Sequence, residues 1–332
     1  MGRLKLGVLG AGAWGTALAI QFSSHHDVCL WSRDPSQIAQ MHTSHVNARY
    51  LPDIELPSAL HLTADIDEAV NDADLILLAT PTGAFRQLLE AIVDKIGDAT
   101  VLWVCKGFES GSMRLPHQIA REVLREDLPC GVLSGPSFAS EVARGLPTAL
   151  TLASEQERVR DMAGALHHQS LRVYTSSDCI GVEVGGALKN VMAIAAGISD
   201  GLGLGHNARA ALISRGLAEM SRLGQALGGR AETFMGLTGM GDLILTATSD
   251  QSRNRQVGFR LARGEVLADI LRDLGHVAEG VNSAREVVKL AAGLGVDMPI
   301  AQAVNQVLYQ NLAPRAAVES LLNREPKAEQ YR

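Results

Sequence analysis

The sequence of 332 residues predicts an α/β, doubly wound N-terminal domain followed by an all-α C-terminal domain. Three observations predict it. Short apolar runs alternate with helix-patterned segments from residue 4 to about 175. Several of those runs are almost unbroken by polar residues, as parallel strands covered on both faces must be. Beyond Ser176 the β-branched runs stop and apolar residues recur at helical spacing. Length agrees, because 332 residues exceed one ordinary core. The expected division is residues 1–177 and 178–332.

The expected strands are Leu4–Leu9, Val28–Trp31, Leu75–Ala79, Val101–Cys105, Gly131–Leu133, Thr148–Leu152 and Arg172–Tyr174. Helices are expected between them, among them Trp14–Ser24, Ala84–Ile96 and Glu155–His167. In the second half, Asp178 is placed to cap a helix running through Met192. Asn207–Leu227 carries Leu212, Ile213, Leu217, Met220 and Leu223 near the helical period. Arg253–Arg263, Ser283–Leu294 and Ile300–Tyr309 read as helices too, and the tail from Arg324 is polar.

Composition narrows the function classes. Hydrophobic residues at 46% and charged residues at 20% are a globular balance, and a net charge of -6 argues against a broad nucleic-acid surface. The four cysteines, Cys29, Cys105, Cys130 and Cys179, form no CxxC pair and no metal spacing, which suits reduced thiols in the cytoplasm. Arg3 and Lys5 before Leu6–Ile20 mimic a signal peptide, but four glycines interrupt the stretch and suit a turn better. No later run offers the ~18 uncharged apolar residues of a membrane span.

Gly10-Ala11-Gly12-Ala13-Trp14-Gly15 matches G-x-G-x-x-G between an expected strand and an expected helix, the Rossmann-type context in which that motif binds a dinucleotide. The bland reading is a glycine turn that binds nothing. At the end of the second strand, Ser32 and Arg33 suit a 2′-phosphate, while Asp34 stands one step late for an NAD-type ribose contact. NADPH is therefore expected over NADH, unless Arg33 is only a surface charge.

Polar groups collect where ligands bind in open parallel sheets, beyond the carboxyl ends of strands. They are Thr80-Pro81-Thr82, Lys106-Gly107 and Ser134-Gly135-Pro136-Ser137. Lys106 is either an anion contact or an ordinary loop lysine. Lys189, beside Asn190, sits among Ala187, Leu188, Val191 and Met192. Burial there would lower its pKa and suit it to proton transfer near neutrality; the alternative is a snorkelling lysine. Asp242 follows a glycine-rich turn. Ser249 or Asp250 could cap a helix whose first turn holds Ser252, Arg253 and Asn254, which is a phosphate cradle or merely a capped surface helix. Glu279 reads as a loop residue within reach of either ligand. His42 with His45, and His167 with His168, read as structural, since no third metal ligand is evident and no metal site is expected.

The blocks GAGAWGTALA, LWSRDP, YLPDIELP, CKGFE, LSGPSFASE, GALKNVMAIAAGISDGLGLGHN, RGLAEM, GDLILTATSDQSRNRQVG and AEG, in this order, strongly resemble the bacterial NAD(P)-dependent sn-glycerol-3-phosphate dehydrogenases. The resemblance spans nearly the whole chain. It implies reversible reduction of dihydroxyacetone phosphate to sn-glycerol 3-phosphate for glycerophospholipid synthesis, by a cytoplasmic homodimer. It implies Lys189 as the proton donor, and Lys106 in contact with both cofactor and substrate. It adds Gly135, Ser137, Asp242, Ser252, Arg253 and Asn254 as substrate contacts. Ala13, Trp14, Arg33, Ala139, Val277 and Glu279 are the implied cofactor contacts, with Arg253 touching both ligands. Ala13-Trp14 stands where some members carry a hydroxyl residue and a tyrosine, and Arg33 where some carry histidine. Two rival readings stay open here: a related two-domain dehydrogenase of 3-hydroxy acids or sugar acids, and a non-catalytic NAD(P)-sensing module.

Overall fold

A computed structural model describes residues 2–275 and 278–325. Ten strands are present among these residues: β1 Lys5–Leu9, β2 Asp27–Trp31, β3 Val46–Asn47, β4 Leu51–Glu55, β5 His61–Thr63, β6 Leu75–Leu78, β7 Thr100–Trp103, β8 Cys130–Ser134, β9 Thr148–Ala153 and β10 Leu171–Ser176. Eight of them form one sheet in the order β10-β9-β8-β7-β6-β1-β2-β5. The strand order reverses on either side of β1, which puts a ligand crevice at its carboxyl end. All four residues of β6 and all four of β7 are buried, so their apolar runs need no alternation.

The sheet departs from the expected all-parallel pattern at one ladder. β8 and β9 pair antiparallel, with Val132 opposite Ala153, and β10 then runs parallel to β9. A short connection holding the five-residue helix Ala139–Ala143 returns the chain directly, where a parallel partner would need a longer crossover. The β3–β4 hairpin and the edge strand β5 are additions to the predicted elements. β3 has two residues and β4 contains Pro52, so neither shows a readable period. Glu155–His167 forms two short helices, Glu157–Arg160 and Ala163–Leu166.

After β10 the molecule is built around one helix, Cys179–Gly201, hereafter the central helix. Asp178 caps it: Oδ1 accepts from the Gly181 N–H (2.8 Å), while Oδ2 accepts from Arg230 N–H and the Thr233 hydroxyl. The helix extends nine residues past Met192, beyond its expected end. By length and composition it could cross a membrane, and 89% of that apolar window lies inside the protein, as in a core helix. Helices Gly205–Ala226, Arg253–Ala262, Glu279–Gly293 and Pro299–Tyr309 pack around it, with Val184, Leu188, Val191, Met220, Leu223 and Phe234 in their shared core.

Glycine sets how closely the helices approach. A Cβ on Gly197 would run into the Arg255 carbonyl, and one on Gly258 into the Ile194 carbonyl. The central helix and Arg253–Ala262 therefore cross backbone to backbone. Gly258→Ala would ordinarily stabilise a helix by ~0.5–1 kcal/mol. Here overpacking costs about 1–3 kcal/mol or more, which outweighs that gain. Gly258→Ala is expected to lower the thermal unfolding midpoint by several degrees; a raised midpoint would contradict the contact.

Candidate active site

The glycine loop divides its three glycines by task. Gly10 has φ +124°, and a Cβ there would lie 2.7 Å from the Ala79 carbonyl oxygen, so this position requires glycine. A Cβ on Gly15 would strike the Gly10 carbonyl, so the third glycine lets helix Ala13–Ser23 close on β1. Gly12 caps that helix, and a Cβ on it would meet nothing within 4 Å. A helix N-terminus thus opens with its N–H groups beside free space, the arrangement a pyrophosphate fits. On the neighbouring strand's end, the Thr80 hydroxyl is buried without a hydrogen-bond partner among the described residues. Ala13 and Trp14 form the first turn of the helix.

At the end of β2 the three polar residues separate by role. Asp34 caps helix Pro35–Ser44, accepting from Ser36 N–H (3.0 Å) and Gln37 N–H (3.3 Å). Ser32 is 5% exposed and donates its hydroxyl to Gln37 Oε1 (2.8 Å). Arg33 alone is exposed. Ala139 opens the short helix that follows β8. Val277 lies outside the described residues.

The chemical centre joins the sheet to the helices. Lys106 follows β7, the central helix supplies Lys189, and Asp242 opens helix Asp242–Thr248 after a π-helical turn, Leu237–Gly241. Asp242 is 0% exposed and lies between the two ammonium groups. Its Oδ1 accepts from Lys189 Nζ at 2.5 Å, and its Oδ2 accepts from Lys106 Nζ at 2.6 Å. Lys189 Nζ also donates to Thr246 Oγ1 (3.0 Å), and Lys106 Nζ to the Gly135 carbonyl (3.1 Å). An ammonium has three donors. Two of each lysine's are used on these partners, which leaves each one N–H for a ligand among the described residues. The trio carries a net positive charge. Gly186 makes room for it, since a Cβ there would stand 3.3 Å from Lys106 Cγ.

Burial pushes the Lys189 ammonium down to about 8, helped by Lys106 and opposed by Asp242. Burial alone would raise the Asp242 carboxyl, but the two ammonium neighbours hold it below the usual carboxylate range. Glu279 begins helix Glu279–Gly293 rather than lying in a loop. Burial pushes its carboxyl up against the pull of Lys106, Arg253 and Lys189, which places it in the same field.

Ser252, not Ser249 or Asp250, caps helix Arg253–Ala262, accepting from Arg255 N–H at 3.2 Å. Arg253 is exposed at that helix start. The Asn254 side chain is a strut: Nδ2 donates to Asn190 Oδ1 (3.0 Å), and Oδ1 accepts from Gly280 N–H (3.0 Å). Its main-chain N–H, at the first turn, is what remains for an anion. Ser137 Oγ donates to the Gly135 carbonyl (3.2 Å), beside Lys106. His42 Nε2 lies 3.2 Å from the Leu62 carbonyl, and His168 stacks on His25 at 5.1 Å. Among the described residues no group of three or more His, Cys, Asp or Glu could hold a metal.

Two site-supporting residues were not singled out from sequence. Thr246 sits one helical turn after Asp242, an i, i+4 spacing that carries the signal. Glu183, on the central helix, accepts from Trp103 Nε1 (2.7 Å) and from His117 N–H and Nδ1 (3.0 and 2.6 Å). It ties the central helix to β7 just ahead of Lys106.

Comparisons with known proteins agree across the chain. Residues 5–160 match the family described as NAD-dependent glycerol-3-phosphate dehydrogenase N-terminus, and residues 178–319 match its C-terminus. A glycerol-3-phosphate dehydrogenase [NAD(P)+] of Thiobacillus denitrificans is 58% identical over 98% of this chain and 100% of its own. The enzyme of that name from Leptothrix cholodnii is also 58% identical, over 98% and 100%. The crystal structure of glycerol-3-phosphate dehydrogenase from Coxiella burnetii superposes with a TM-score of 0.93 at 41% identity, covering 97% of this chain and 99% of that one. The chain belongs to the NAD(P)-dependent glycerol-3-phosphate dehydrogenase family.

Proposed function

We propose that this protein catalyses reversible reduction of dihydroxyacetone phosphate to sn-glycerol 3-phosphate with NADPH, or with NADH as the less favoured partner. The observation that carries the reading is the trio at the carboxyl edge of the sheet, buried Asp242 and Lys189 with half-buried Lys106. Residues 1–177 hold the cofactor in this reading, and residues 178–332 supply the substrate site. The product serves glycerophospholipid synthesis, and the working unit is a cytoplasmic homodimer.

When bound, the reduced nicotinamide supplies hydride to the ketone carbon. The glycine loop, with Gly10, Gly12, Ala13, Trp14 and Gly15, receives the pyrophosphate, and Arg33 the 2′-phosphate. Ala139, Val277 and Glu279 complete the cofactor contacts. Arg253, with the helix start at Ser252 and Asn254, takes the substrate phosphate; Gly135 and Ser137 line its other side. A three-carbon substrate has few handles, so the phosphate contacts orient it. Lys106 uses its free N–H on the substrate oxygens. Lys189 gives its proton to the developing alkoxide, and Asp242 keeps that ammonium aimed. In the oxidation direction, neutral Lys189 takes the proton back.

Three outcomes are expected. Lys189→Ala should cut turnover by about 10²–10⁴-fold while NADPH still binds; near-normal turnover would overturn the assignment. Because the Lys189 ammonium is held down to about 8, reduction should fall and oxidation should rise as pH climbs through that value. Matching initial-rate profiles in the two directions check this, and parallel profiles would contradict it. Arg253→Ala removes a charge-assisted contact and should raise the dihydroxyacetone phosphate KM roughly 10–100-fold. An unchanged KM would remove Arg253 from the phosphate site.

A further inference from the structure

The glycine loop is held from behind by buried and half-buried side chains. The Ala11 carbonyl, in the middle of Gly10-Ala11-Gly12, is buried. It accepts from Gln37 Nε2 (2.8 Å) and from Asn47 Nδ2 (3.0 Å). Two side-chain amides thus fill its two lone pairs. Asn47 lies on β3 and is 1% exposed. Its amide also donates to Thr16 Oγ1 (2.8 Å), on the helix that leaves the loop. Gln37 is oriented in turn, because its Oε1 accepts from the Ser32 hydroxyl (2.8 Å) and its Nε2 also approaches Asn47 Oδ1 (3.4 Å). Gln37 of helix Pro35–Ser44 and Asn47 of β3 thereby meet at one carbonyl, braced by Ser32 and Thr16.

A trans peptide is planar, so its C=O and N–H point in opposite directions. No cis bond is present among the described residues. Fixing the Ala11 carbonyl toward the two amides therefore fixes the Gly12 N–H away from them. Gly12 on its carboxyl side leaves this peptide freer to rotate unless something holds it. Without the clamp, the loop would pay the cost of ordering that peptide on every binding event.

We propose that Asn47 and Gln37 are positioning residues for the cofactor: by clamping the Ala11 carbonyl they aim the Gly12 amide at the pyrophosphate. The proposal rests on the glycine-loop reading of the cofactor site. It also gives the short β3–β4 hairpin a task, since that hairpin carries Asn47 to the back of the loop. Pyrophosphate is common to NADPH and NADH, so the clamp acts on both alike.

Calorimetric titration of the full chain with NADPH and with NADH tests it, alongside thermal unfolding and steady-state kinetics. Asn47→Ala and Gln37→Met each remove donors without adding charge. Each is expected to raise both cofactor dissociation constants by about tenfold, the value of roughly one net hydrogen bond. The loss should fall on the cofactor KM and leave the dihydroxyacetone phosphate KM in place. A lowered melting temperature with both dissociation constants unmoved would overturn the proposal, leaving the amides a packing role only. A loss confined to NADPH would overturn it too, by placing these residues at the ribose. If Asn47→Ala does not fold, Gln37→Met decides. Gly12→Val separates the premise: undiminished cofactor binding in that variant would defeat the glycine-loop reading itself, whereas lost binding there with normal binding in both amide variants would defeat only the clamp.

Discussion

A carboxylate with no exposed surface, shared by two ammonium groups, is the constraint around which this molecule is arranged. An unpaired buried charge costs several kcal/mol, so Asp242 is tenable only between its lysines. The reverse also holds, because one carboxylate cannot neutralise two ammonium groups. The excess positive charge and the two unused N–H donors are what a phosphorylated, oxyanion-forming substrate requires. Burial then sets the proton affinity of Lys189 near the range where donation and acceptance are both accessible.

Holding that trio together is a problem of register between a sheet and a helix. Lys106 comes from the end of β7 and Lys189 from the middle of the central helix. Glu183, six residues before Lys189, links the two elements through Trp103, three residues before Lys106, and also holds His117 of helix Pro116–Val123. On the other flank, Gly197 and Gly258 let helix Arg253–Ala262 approach the central helix closely. Asn254 can then reach Asn190. Gly185 lets the π-helical turn before Asp242 press on the central helix, where a Cβ would lie 2.5 Å from the Thr238 carbonyl. Small residues thus do the work of distance, and polar side chains do the work of register.

Much of this was legible in the amino-acid sequence, and the reason is local. The glycine fingerprint, the apolar strands and the lysine embedded in an Ala/Gly-rich helix each announce themselves within a few residues. What stayed hidden depends on meetings far apart in the chain. The antiparallel β8–β9 ladder is set by how the connection folds back, which leaves no mark on strand composition. β3 is too short to show alternation. The cap of helix Arg253–Ala262 lies two or three residues past the expected one because Ser249, Asp250 and Ser252 are equally good cap types, and only the main-chain turn chooses Ser252. Asp34 reads as a late ribose contact until its carboxylate is seen on the N–H groups of Ser36 and Gln37.

The central claim is that the carboxylate of Asp242 holds up the proton affinity of a lysine whose surroundings press it down. Asp242→Asn removes that support and keeps the shape. The direct measurement is the pH midpoint of dihydroxyacetone phosphate reduction in this variant against the parent enzyme. A midpoint displaced to lower pH is the predicted result, since burial and Lys106 then act on Lys189 unopposed by the carboxylate. A midpoint that stays in place, with the enzyme folded and active, would show that Lys189 is not governed by Asp242 and would contradict the account.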